Sequence, residues 1–333
     1  MKKRQWHKIK DWIKFILAIA CVAVFVVFFV FNVWTPVRKP VGVVVPNGAS
    51  VTRMTNYLYN NRIIKSKELF YFMIRMNGGK IQAGEYDIPR GAGMWTIATM
   101  LARGQIATTT VMIPEGYTIQ QIKKMLMDIP VLVGDVDCTD SLPVCNLHEG
   151  DIFPDTYKIA RGTSRLALLE LARKKMESVK QSFAGAAYPA PLKSWDDVLI
   201  LASIVQKETP KTREMPIVAS VYLNRLNINM RLQADPTVVY ALTEGLGDMQ
   251  GEPLLSGHLK IDSPYNTYTN NGLPPAPISN VGMDAIRSVL KPAHTKYLFF
   301  VADGRGGHKF SKDYEEHKKH HQKWRKIKDN QKN

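Results

Sequence analysis

An unbroken apolar run of seventeen residues, Phe15 to Phe31, constrains this 333-residue chain more than any other feature. Ile13, Val33 and Trp34 extend it. At about 1.5 Å per residue a helix from Trp12 to Trp34 covers roughly 30 Å, the thickness of a bilayer core. Lys2, Lys3, Arg4, Lys8, Lys10 and Lys14 crowd the N-terminal flank against one acid, Asp11. Positive flanks stay in the cytoplasm, so residues 1–11 are expected there, 12–34 as a single-pass anchor in the cytoplasmic membrane, and the remainder outside. A cleaved signal peptide is the competing reading. Bulky Phe28-Phe29-Val30-Phe31 stands where a small-x-small cleavage site would fall, which favours the uncleaved anchor.

The formal charge is +16, from 45 Lys+Arg against 29 Asp+Glu. The first fourteen residues carry +5 and His308 to Asn333 another +5. An excess concentrated at the two ends argues against a nucleic-acid surface, and no such partner is expected. With 45% hydrophobic and 22% charged residues, the chain is too apolar for disorder and too charged for a multispan membrane protein. Cys21 lies in the apolar run, whereas Cys138 and Cys145 bracket a polar loop on the oxidising side. A Cys138–Cys145 disulfide would contribute roughly 2–3 kcal/mol by restricting the unfolded chain; two free thiols are the alternative. Zinc is not expected there, because His148 is the one histidine nearby.

Two stretches repeat a pattern: Val43-Val44-Val45-Pro46-Asn47-Gly48 before Met54 and Leu58, and Val111-Met112-Ile113-Pro114-Glu115-Gly116 before Ile122 and Leu126. Each reads as a strand, a Pro-x-Gly turn and a helix capped by Ser50 or Thr118, with Gln121 completing a capping box. Further helices from Ser66 and over 94–103, and a strand over 83–88, make residues 41–105 a small α/β unit. A mere spacer is the alternative for it. Residues 107–312 read as one larger α+β domain, with helices over 166–184, 195–208, 215–227, 236–242 and 283–290. A strand over 297–302 ends in the glycine-rich turn at 303–307, and 313–333 form a basic tail read as a fraying polar helix.

Standard nucleophile motifs are missing: there is no G-x-S-x-G, HExxH or P-loop, and Gln206 stands where an S-x-x-K motif from Ser203 would need lysine. His317 and His321 have i,i+4 spacing but no third ligand, so solvated histidines are expected rather than a metal site. The distinctive carboxylate is Glu208. Ser194 can cap its helix, and Glu208 shares a face with Leu201, Ile204 and Val205, which would desolvate the carboxyl and suit a general acid. On spacing alone a solvated glutamate ending the helix before Thr209-Pro210 is the plainer reading. Asp235 before Pro236 reads as an N-cap. Tyr265-Asn266-Thr267-Tyr268 on a Pro-bounded loop offers flat faces and short polar groups suited to sugars.

Ala202-Ser203-Ile204-Val205-Gln206-Lys207-Glu208-Thr209, Val218 to Leu226, and Met230-Arg231-Leu232-Gln233-Ala234-Asp235-Pro236-Thr237-Val238-Val239-Tyr240 closely resemble the YceG-like endolytic murein transglycosylases. So do Gly150 to Tyr157, Tyr265 to Tyr268 and Gly272-Leu273-Pro274-Pro275. The resemblance implies an α+β enzyme with a transmembrane anchor, a LysM-like subdomain at 41–105 and a catalytic domain at 107–312, active outside the cytoplasmic membrane. It implies cleavage within nascent peptidoglycan strands between N-acetylmuramic acid and N-acetylglucosamine, leaving 1,6-anhydro ends, without cofactor or metal. Peptidoglycan synthases (penicillin-binding proteins) are expected partners. The family's catalytic glutamate carries over to Glu208. Gln206 departs from a second glutamate common in the family, as Ala276 and Val281 depart from a frequent Gly and Pro. Asn224, Gln233, Asp235, Asn266, Thr267 and Tyr268 would orient sugar or stabilise charge, and Tyr240 and Tyr265 would stack or simply pack. A non-catalytic peptidoglycan-binding scaffold is the alternative function.

Overall fold

The computed structural model describes residues 2–33, 37–138, 143–249 and 251–330; the side chains of 2–11, 28, 31–33, 329 and 330 lie outside that description. The side chains of the expected basic flank before Lys14, the interfacial Trp34 and the loop residues 139–142 thus fall outside that description. The chain divides into two compact units, 1–109 with 158–162, and 110–157 with 163–333.

The first unit begins with helix α1 (Lys2–Val33). Its apolar side chains Trp12, Phe15, Leu17, Phe25 and Phe29 are all more than half exposed. Among the described residues no helix is long and apolar enough to cross a membrane. Strand β1 (Val41–Val45) pairs antiparallel with β2 (Gly84–Ile88), with Val43 opposite Tyr86. Alternation turns Val43, Val45, Tyr86 and Ile88 inward. Between the strands lie α2 (Val51–Asn60) and α3 (Lys67–Met76), whose N-caps Ser50 and Ser66 accept from Arg53 N and Leu69 N. Their faces bury Leu58, Phe70 and Ile74 against Ile97 and Leu101 of α4 (Met94–Arg103). Gly104 ends α4 in the left-handed conformation at φ 64°, which a side chain would resist.

Strand β3 (Thr108–Met112) pairs with β4 (Thr156–Ala160), a five-residue strand beyond those expected from sequence. In the second unit α5 (Ile119–Met127) opens on the expected Thr118–Gln121 capping box. Arg165, first residue of α6 (Arg165–Ser182), closes the other end of α5. Its guanidinium donates to Leu126 O, Met127 O, Ile129 O and Gly134 O at 2.6–3.1 Å, satisfying carbonyls that the helix leaves unpaired. The core is built by α7 (Trp195–Glu208), α8 (Met215–Asn227) and α10 (Met283–Leu290), with α9 (Asp235–Leu242) beside them. Val198, Leu201, Ala202, Ile204 and Val205 of α7 are buried with Val218, Tyr222 and Ile286. A hairpin of β5 (Phe299–Ala302) and β6 (His308–Ser311), with Phe300 opposite Phe310, precedes α11 (Tyr314–Asn330). Cys138 and Cys145 are joined in a disulfide.

Candidate active site

Glu208 is the last residue of α7, and the construction of that helix carries it inward. Ser194 and Asp197 form a capping box at the start, and Thr209 N–H closes the end on Val205 O. Leu201, Ile204 and Val205 lie on the face of Glu208 and are fully buried. Burial pushes the Glu208 carboxyl up to about 7; the Tyr222 hydrogen bond draws it down, Asp235 pushes it up and Arg225 draws it down. Tyr222, buried on α8, donates its hydroxyl to Glu208 Oε1 at 2.5 Å. Oε2 accepts no hydrogen bond among the described residues. Arg225 is buried one turn further along α8, held by Leu298 O and Leu232 O at 2.6 Å each, with its guanidinium over the Phe299 ring.

The remaining expected residues divide by where their polar atoms go. Asn224 Nδ2 donates to Thr295 O and Tyr297 O, both at 3.0 Å, and so tethers the segment before β5. Asn266 is fully buried: Nδ2 donates to Leu259 O and Ile261 O, and Oδ1 accepts from Tyr268 N. Thr267 Oγ1, also buried, accepts from Ala234 N at 2.9 Å and bonds Thr237 Oγ1. These three side chains form a frame. Gln233 and Asp235 are exposed, and Tyr268 is half-buried. Gln233 takes φ 49° with its N–H on Thr267 O. The Tyr268 hydroxyl donates to Asp235 Oδ1 at 2.5 Å; the Asp235 charge pushes Glu208 up, and Tyr268 feels the charge of Glu208. Asp235 is not the N-cap its sequence suggests. Ala234, pinned by Thr267, takes that place, and the Asp235 carboxylate in the first turn holds Tyr268 instead.

A second carboxyl, Glu149, escapes sequence reasoning although it stands just before the matched Gly150–Tyr157 block. Its Oε2 accepts from Ile119 N at 2.8 Å and Asn280 Nδ2 at 3.4 Å, and its Oε1 from the Tyr240 hydroxyl at 3.5 Å. Burial pushes it up to about 7, against the hydrogen bonds of Ile119 and Tyr240, and Asp151 adds to the rise. Tyr240 packs against Tyr265 with ring centres 4.9 Å apart. Asn280, fully buried, also accepts from Gly150 N and Ile152 N and donates to Tyr117 O. Gln206 Oε1 accepts from Gly282 N; burial raises the Glu115 carboxyl, and the Gln206 side chain draws it down. Tyr222 is the other residue that spacing does not single out; fourteen positions separate it from Glu208. Among the described residues no group of three or more His, Cys, Asp or Glu is placed to hold a metal ion.

The chain matches the YceG-like family over residues 43–323. It is 30% identical over 313 residues to a Bacillus subtilis protein named endolytic murein transglycosylase, covering 86% of this chain and 85% of that one. A Streptococcus pneumoniae protein of the same name is 28% identical over 302 residues, 80% of this chain and 55% of the relative. A solved YceG-like protein from Listeria monocytogenes is 29% identical over 85% of this chain and 99% of its own, with a TM-score of 0.49. Matched over most of its length, with Glu208 and its partners lying inside the matched span, the chain belongs to the YceG-like family.

Proposed function

We propose that this chain is an endolytic murein transglycosylase in which Glu208 is the acid and then the base. The observation that carries the reading is the Glu208 carboxyl itself: desolvated, raised to about 7, and bonded among the described residues by Tyr222 through Oε1. Such a group holds a proton near neutral pH and has Oε2 available to deliver it. The proton passes to the oxygen between N-acetylmuramic acid and N-acetylglucosamine as the C1–O bond breaks and oxocarbenium character develops at muramic C1. The carboxylate so formed takes the proton of the muramic C6 hydroxyl, whose oxygen bonds to C1 and closes the 1,6-anhydro ring. Glu208 ends protonated again, and no water is consumed. Gln233, Asp235 and Tyr268 line the approach to Glu208 and orient sugar; Asn224, Asn266 and Thr267 act by holding the loops behind them. Tyr240 and Tyr265, their rings tilted by 51°, supply aromatic faces for sugar to pack against.

The exposed apolar side chains of α1 support a membrane anchor for this enzyme, with the rest of the chain on the outer side of the cytoplasmic membrane near the synthases that feed it glycan. The order strand, helix, helix, strand at 41–88 supports the LysM-like reading of the small unit. The test is product analysis by mass spectrometry on purified glycan strands. Native protein should release 1,6-anhydro ends and Glu208→Gln none. Reducing ends would mean that water is the nucleophile, and binding without cleavage by the native protein would leave a scaffold.

A further inference from the structure

A cavity of about 530 Å³ lies between the β5–β6 hairpin and α11. Asp303, Arg305 and Lys309 line it from the hairpin, and His320, Lys323 and Trp324 from the helix. None of them takes part in the chemistry above. The lining holds one acid, Asp303, whose Oδ1 accepts from Arg305 N at 2.7 Å and Gly307 N at 2.9 Å, which shapes the turn and holds the carboxylate charged beside Lys309. Arg305, Lys309 and Lys323 form no ion pair within 4.0 Å among the described residues. His320 Nδ1 bonds Ser311 Oγ at 3.0 Å, fixing the ring. The walls are close-fitted rather than splayed. A Cβ on Gly304, at φ 75°, would stand 2.7 Å from Ile327 Cγ2, so only glycine lets the turn sit this near α11.

Three permanent cations against one carboxylate leave the concavity with a net positive charge that favours entry of an anion. An arginine fork with two lysines around it offers donors from several directions, which suits a tetrahedral phosphate better than the two coplanar oxygens of a carboxylate. Trp324 and Ile327 add an apolar wall for the organic body that carries the charge. We propose that this cavity binds a phosphodiester, as presented by an anionic phospholipid headgroup, here probed with phosphatidylglycerol, or by a phosphodiester polymer, here probed with poly(glycerol phosphate). The inference is independent of the transglycosylase reading.

The test uses the full chain in phosphatidylcholine nanodiscs. One arm titrates it calorimetrically with soluble poly(glycerol phosphate). The other compares amide exchange over 303–309 and 320–327 in discs with and without phosphatidylglycerol. A response in the first arm identifies the polymer as the source, and one in the second the lipid. In whichever arm responds, Lys323→Glu should weaken binding about tenfold or more, and Arg305→Ala should weaken it in the same arm. Lys326→Glu alters the same helix by the same charge outside the cavity lining and should cost less than about threefold. Equal losses for Lys323→Glu and Lys326→Glu would reduce the site to diffuse surface charge and overturn the proposal. So would native protein that responds in neither arm.

Discussion

Glu208 and Glu149 are both pushed up to about 7 by burial, yet their oxygens are used in opposite ways. Glu149 is engaged at both: Oε2 caps the first amide of α5 and meets Asn280, and Oε1 meets Tyr240. Glu208 is engaged at one, by Tyr222, and keeps Oε2 uncommitted among the described residues. A raised carboxyl with a spare oxygen can pass a proton to something that arrives; one whose oxygens are both bonded acts as a clamp. The displaced titration is therefore shared between a reacting group and a structural one, and hydrogen-bond saturation separates them.

The sharpest way to break this comparison is to neutralise each carboxyl in turn. Glu208→Gln should lower the glycan-cleavage rate by about a thousandfold, within the range general acid catalysis supplies. Its stability should move the other way. Below the unfolded value near 4.5 both folded and unfolded carboxyls carry the proton, and burial adds no charge penalty. Between about 4.5 and 7 the unfolded chain gives up this proton while the buried carboxyl keeps it, so native stability falls with rising pH relative to the glutamine variant and levels off once the folded carboxyl also ionises above about 7. Denaturant unfolding at pH 5 and pH 8.5 should show the variant gaining at the higher pH, by no more than about 3 kcal/mol. Glu149→Gln should leave cleavage within a few-fold of native. A loss as deep as that of Glu208→Gln would erase the distinction.

Deletion of the clamp gives the next largest effect. Glu149→Ala leaves Ile119 N without its acceptor at the start of α5 and removes a partner of Asn280, so a loss of about 1–3 kcal/mol is expected in urea unfolding at pH 6. The glutamine variant should recover most of it, since an amide oxygen can still accept from Ile119 N.

The two carboxyls also differ in how far sequence reveals them. Glu208 is legible because its environment is local: a cap at Ser194, a 3.6-residue period and an apolar face at Leu201, Ile204 and Val205 place it within one helix. Glu149 is not, because its partners Ile119, Tyr240 and Asn280 come from three other segments, up to 131 positions away. The helices of the second unit follow their periodicity closely, with α7, α8 and α10 over the expected residues. Strands β4 and β6 are invisible for the opposite reason. At four or five residues each is too short for its alternation, clear in Tyr157 and Ile159 turned inward and Thr156 and Lys158 outward, to be told from a loop, and their pairing supplies what so short a pattern lacks. Asp-Pro spacing suggests Asp235 as a cap, whereas Thr267, thirty-three positions from Ala234, sets the entry into α9 and frees the carboxylate for Tyr268.

Smaller variants should tune Glu208 without removing it, and their opposite signs make the test demanding. Tyr222→Phe deletes a donor that favours the carboxylate, so the Glu208 pKa should rise and the alkaline limb of cleavage should move to higher pH. The ring stays in place against Phe300, so the core keeps its volume. Asp235→Asn removes a negative charge that disfavours ionisation, so the same limb should move to lower pH. Asp235 is exposed and its field is screened, which makes its shift the smaller of the two, a fraction of a pH unit. Profiles of kcat/KM against pH for the two variants should therefore straddle the native curve. Limbs that move together, or stay put, would assign the titration to a group other than Glu208. If Glu149→Gln then moved the limb instead, the roles of reacting group and clamp would have to be exchanged.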